Sequence, residues 1–192
     1  MKKIILLGDS IRKGYDEYVA KKLEGVAEIY YPEDNCRFAA YLFRYLSRYV
    51  EQSGFGAEVD AIHWNAGLWD TIIQYQEDRL TSPEVYREYI TRIHKRIKQL
   101  YPNAIEIFAT STRVREELYS DDFLRRNADV EWYNKIAVEV LAEEGVIIND
   151  LYDFTKEWTV EYYSDKTHFN EMGSEFLGNK VAEVLKKELH LQ

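Results

Sequence analysis

Along this chain, apolar runs of strand length alternate with stretches of helical spacing, and no other feature narrows its fold so much. Lys2 to Gly8 is the first strand-like run. Its Ile4-Ile5-Leu6-Leu7 is too short for a buried helix and suits a central parallel strand. Asp16 to Gly25 reads as a short helix, and Val26 to Tyr31 as a second strand closed by Pro32. Phe38, Leu42, Phe43, Leu46, Tyr49 and Val50 mark one face of a helix ending near Ser53-Gly54, before a third strand at Ala61 to Trp64. Thr81-Ser82-Pro83-Glu84 joins a hydroxyl cap to a first-turn proline, which predicts a helix running to Tyr101. Ala104 to Thr110 is the fourth strand, Asn127 to Glu144 a helix, and Val146 to Ile148 a short fifth strand. Asn170 caps a last helix whose inward stripe includes Phe176, Leu177, Val181, Val184, Leu185 and Leu189.

Strands separated by helices pair in parallel through right-handed crossovers. The expectation is α/β class: one domain over residues 1–192, a three-layer α/β/α sandwich around a five-stranded parallel sheet of flavodoxin-like order.

Charge and composition remove several classes of function. A formal net charge of −9 argues against nucleic acid and anionic membranes as partners. The single cysteine, Cys36, allows no intrachain disulfide and reads as a small buried hydrophobe. The apolar run after Met1-Lys2-Lys3 is too short for a signal-peptide core, and no run approaches a membrane span, so the expected location is cytoplasmic. The 16 tyrosines serve either a core or a platform for sugar rings.

In such a sheet, the strand-to-helix loops open on one edge, where sites form. Gly8-Asp9-Ser10 carries a serine to that edge, a nucleophile if a base stands nearby. Asp165 and His168, three apart before the last helix, have the spacing at which a carboxylate braces the far nitrogen of an imidazole.

Gly8-Asp9-Ser10 at one end and Asp165-x-x-His168 at the other resemble the SGNH (GDSL) hydrolase family over the whole domain. The resemblance implies an SGNH hydrolase fold and esterase or acyl-hydrolase chemistry without metal or cofactor. By that likeness Ser10 is the nucleophile and gives its N–H to the oxyanion, His168 is the general base, and Asp165 orients it. The blocks that supply the other oxyanion donors depart from the family. Pro32 to Phe38 lacks the usual glycine, and Asn35 falls nearest its place. In Trp64-Asn65-Ala66-Gly67-Leu68-Trp69-Asp70, strict register puts Gly67 at the donor position, but Asn65 is the nearby side-chain amide and is assigned the role.

Other residues carry two readings each. Arg37 and Arg113 hold a substrate carboxylate or form ion pairs. Trp64, Trp69, Tyr119 and Phe123 wall an acyl or sugar pocket or fill the core. Asp9 braces the turn after the first strand, His63 is a core histidine, and His94, among Arg and Lys, is expected in solvent. These residues predict a serine ester hydrolase acting on a small-molecule or carbohydrate ester. The acyl group is expected to be short, with acetyl groups on carbohydrate as the candidate. The alternative is a non-catalytic ligand-binding domain with a degraded oxyanion hole.

Overall fold

The computed structural model describes residues 1–191. Its strands and helices are β1 (Lys2–Leu7), α1 (Ser10–Lys22), β2 (Ala27–Tyr30), α2 (Ala39–Ser53), β3 (Ala61–Trp64), β4 (Ile73–Gln74), α3 (Pro83–Leu100), β5 (Ile105–Ala109), β6 (Phe123–Leu124), α4 (Asn127–Ala142), β7 (Ile147–Asn149), α5 (Leu151–Thr155) and α6 (Glu171–Leu189). Five strands form one parallel sheet in the order β2-β1-β3-β5-β7, the flavodoxin-like order, with helices on both faces. Among the described residues no helix is long and apolar enough to cross a membrane.

Alternation along the strands divides the core in two. Ile5 and Leu7 face α2, α3 and α4, joined by Ile62, Trp64 and Phe108. Ile4 and Leu6 face α1 and α6, with Ile107, Ala109, Val181 and Leu185. β1 is therefore apolar on both sides, as a strand covered by two helical layers must be. The helix ends follow local chemistry. Ser82 Oγ accepts the Val85 N–H ahead of Pro83, and Gly54 ends α2 in the left-handed region, at φ 69°.

The structure differs from the expectations in several places, among them an unexpected short helix, α5. α1 begins at Ser10, well before Asp16, because Asp9 caps it there. The two-residue strands β4 and β6 pair antiparallel outside the main sheet. Phe176 is 42% exposed on the outer side of α6. His94 is buried rather than solvated: its Nδ1 lies 2.9 Å from Glu106 Oε2, a carboxylate that β5 turns inward under α3.

Candidate active site

β1 ends at Leu7 and the chain turns straight into α1. Asp9 is wholly buried, and its Oδ1 accepts the Ile11 N–H at 2.9 Å. Burial pushes its carboxyl above the ordinary value, against the Ile11 N–H, the Asn65 amide and the charges of Arg125 and Arg12. Ser10 is thus the first residue of a 13-residue helix. Main-chain N–H groups there lack intrahelical acceptors, and the helix dipole favours negative charge. The turn requires glycine at position 8, because a Cβ there would fall 1.9 Å from Asn65 Oδ1 and 2.8 Å from Arg12 Cβ.

The opposing loop is tied down by its own side chains. Asp165 Oδ1 accepts the N–H groups of Thr167 at 2.6 Å and His168 at 2.7 Å, while Oδ2 faces His168 Nδ1 at 2.8 Å. Asn170 then caps α6 through the Gly173 N–H at 3.0 Å. α1 and α6 lie in close contact, and Gly178 permits it: a Cβ there would meet Tyr18 Cβ at 2.6 Å and Tyr15 O at 3.1 Å. That contact brings His168 Nε2 to 2.8 Å from Ser10 Oγ.

A carboxylate at Nδ1 favours the tautomer with its proton there, leaving Nε2 bare to accept the serine proton. Partial burial works to raise the Asp165 pKa. The His168 N–H, the His168 ring and the Thr167 N–H outweigh it, holding the carboxyl below its usual value and ionised. Hydroxyl, imidazole and carboxylate of Ser10, His168 and Asp165 are thus joined in one hydrogen-bonded chain.

The remaining expected site residues are more scattered. Asn65 is buried beneath Gly8, with its amide against Asp9 and its Oδ1 without a partner. Asn35 Oδ1 accepts the Arg37 N–H at 2.8 Å, and Arg37 there adopts φ 51°. The Asn35 loop is held against the β1 end by the bond from Cys36 N–H to Gly8 O at 3.0 Å and by Arg12 Nη2 on Asp34 O at 2.7 Å. Cys36 itself is buried, which pushes its thiol up to about 11. Arg37 lies over the Tyr41 ring at 4.7 Å, outside the pocket. Arg113 donates from Nη1 to Lys156 O at 2.5 Å, also outside it. Trp64 is not in the wall of the cavity beside Ser10: it is fully buried in the core, and its Nε1 donates to Glu106 Oε1 at 3.0 Å. Trp69 does stand in the pocket wall.

Ser10, His168 and Asp165 open onto a cavity of about 740 Å³. Its walls are mainly apolar, from Phe38, Trp69, Ile72, Leu80, Leu118 and Phe123. Gln74, Arg125, Lys166 and Thr167 complete it. Most of these come from the segments around β4 and β6, where no apolar periodicity marks them. One signal for Arg125 was present: Arg125-Arg126 directly precede α4, where the helix dipole disfavours cations.

No model of a known family matches the sequence, and no curated protein matches it. Solved structures match over nearly the whole chain. A lipase/acylhydrolase from Enterococcus faecalis superposes with a TM-score of 0.75 at 21% identity, covering 98% of this chain and 97% of that one. An acetyl xylan esterase gives 0.74 at 14% identity, covering 95% and 98%. The psychrotrophic esterase EstA from Pseudoalteromonas sp., in a structure inhibited by monoethylphosphonate, gives 0.72 at 12%, covering 99% and 100%. At such identities the likeness is one of architecture, and the chain has the SGNH (GDSL) hydrolase fold.

Proposed function

We propose that this protein is a serine ester hydrolase, and the observation that carries the reading is the 2.8 Å contact between Ser10 Oγ and His168 Nε2. Ser10 Oγ attacks the ester carbonyl carbon as its proton passes to Nε2. The carbonyl π electrons move to oxygen, and the resulting oxyanion sits at the amino terminus of α1. The Ser10 N–H is its first donor, and the Asn65 amide and the Asn35 loop serve as further donors only by turning from Asp9 and from the loop's own acceptors. Collapse breaks the bond to the alcohol oxygen, which takes the proton from His168. Water then attacks the acyl carbon and gives a proton to Nε2, and Ser10 leaves and recovers that proton. The sum is ester plus water to acid plus alcohol. Asp165 stays ionised throughout and steadies the imidazolium.

The short acyl group and the acetylated carbohydrate are finer readings. Trp69 in the pocket wall supports a sugar ring, whereas a cavity of about 740 Å³ with mainly apolar walls favours a larger group than acetyl. A non-catalytic binding domain is favoured by one observation, that the Asn35 and Asn65 side chains face other partners. Hydrolysis of a series of p-nitrophenyl esters by wild type and by Ser10→Ala separates the readings. Turnover lost in the variant supports the hydrolase, and equal rates from both would end it.

A further inference from the structure

Arg125 lines the cavity beside Ser10 and His168 yet is only 5% exposed. Its guanidinium meets neutral acceptors alone. Nε donates to Leu68 O at 2.8 Å, and Nη1 to Tyr119 Oη at 3.1 Å and Thr167 Oγ1 at 3.4 Å. Two other arginines show what this chain does elsewhere with such a charge. Fully buried Arg12 pairs with Asp16 at 2.5 Å, and half-buried Arg79 with Asp129 at 2.5 Å. Among the described residues Arg125 has no such partner. The carboxylate that feels its charge, Asp9, is wholly buried; its Oδ1 takes the Ile11 N–H and its Oδ2 accepts no hydrogen bond from Arg125.

Lys166 lines the same cavity. Its Nζ stands 4.5 Å from the Tyr119 ring centre and 5.1 Å from that of Phe123, again with no carboxylate partner among the described residues. Asp165, next in sequence, is committed to His168 and its turn. A buried charge left without a counter-ion is costly, and rings and neutral acceptors offset only part of that cost. In a chain of net charge −9, two cations set free in one apolar pocket mark a place for a negative group that the protein does not itself supply.

We propose that the pocket selects esters carrying a carboxylate on an apolar body. Arg125 and Lys166 bind the carboxylate, and Phe38, Trp69, Leu118 and Phe123 enclose the body. A guanidinium N–H gives a carboxylate a charge-assisted hydrogen bond, and among the described residues Arg125 Nη2 donates to no acceptor. This proposal rests on the reading of Ser10 as the nucleophile, so its test includes a measurement that needs no turnover.

The first arm compares p-nitrophenyl hemiglutarate with p-nitrophenyl hexanoate, which places the carboxylate on the acyl side. The second compares the butyrate esters of p-hydroxybenzoate and p-hydroxybenzamide, which places it on the alcohol side. The expected result is a kcat/KM ratio of about tenfold in favour of the anion in one arm, the weight of one charge-assisted contact. That ratio falls towards one in Lys166→Met and in Arg125→Gln, and Lys166→Arg retains it. Ratios at or below one in both arms, or a ratio that Lys166→Met leaves in place, overturn the proposal. In parallel, melting is followed with phenylbutyrate and with phenylbutyramide. The carboxylate raises the melting temperature of wild type more than the amide does, and Lys166→Met loses the difference. Wild type that binds the carboxylate but hydrolyses nothing refutes the nucleophile and keeps the anion site. Equal shifts from acid and amide refute the anion site.

Discussion

Asp165 grips His168 twice: one carboxylate oxygen accepts its main-chain N–H at 2.7 Å, and the other faces its Nδ1 at 2.8 Å. A single side chain therefore sets both the shape of the loop and the tautomer of the ring.

The two roles separate in Asp165→Asn. The amide keeps an oxygen for the turn but removes the charge that steadies the imidazolium. The expected outcome is a kcat lower by roughly 10²–10⁴-fold with KM nearly unchanged. Steady-state kinetics on a p-nitrophenyl ester check it, and a loss confined to KM would place Asp165 in binding instead.

Gly8 and Asn65 form a second coupled pair, since a Cβ at position 8 would lie 1.9 Å from Asn65 Oδ1. Gly8→Ala is expected to destabilise the fold by about 1–3 kcal/mol, the usual range for overpacking. Asn65→Ala should recover part of that loss, because it removes the atom being struck. Urea denaturation of the four members of the cycle reads the coupling, and strict additivity would contradict the account.

Asp70 accepts the Ala39 N–H at the start of α2, and burial raises its carboxyl from 3.8 to about 6. Between those values the folded state binds more protons than the unfolded chain. Wild-type stability therefore falls as pH rises through this window, and the penalty is constant above it. Asp70→Asn does not titrate. Its stability relative to wild type should climb by about 2–3 kcal/mol from pH near 4 to pH near 6, then stay level. Denaturation curves at several pH values test this, and a difference independent of pH would refute it.

Trp64 holds Glu106 Oε1 at 3.0 Å while His94 holds the other oxygen at 2.9 Å. Trp64→Phe leaves a buried carboxyl oxygen without its donor. The expected cost is about 1–3 kcal/mol of stability, with KM unchanged because the indole lies outside the pocket. Calorimetry and kinetics on the same preparation check both halves.

The sheet was legible because its strands are short, mainly apolar segments set between helical stretches, and the crossovers allow few topologies. That Ser10, Asp165 and His168 meet was legible because their residue types and loop positions are chemically specific. The pocket was not. Ile72, Leu80, Leu118 and Phe123 sit around strands of two residues, too short to leave a periodic trace. α1 was misplaced at its start because Asp9, a local cap, decides it rather than apolar spacing. His94 was misread because its partner Glu106 is a charged residue turned inward from a strand, which pattern reasoning assigns to the outside. Trp64 was misassigned because cores and pocket walls draw on the same side chains.

The most direct test of the account is labelling with a fluorophosphonate, followed by peptide mass spectrometry. The account predicts one stoichiometric adduct on Ser10 in the wild type, slowed sharply in His168→Ala and absent in Ser10→Ala. An unmodified wild-type protein, or an adduct carried by another residue, would contradict it.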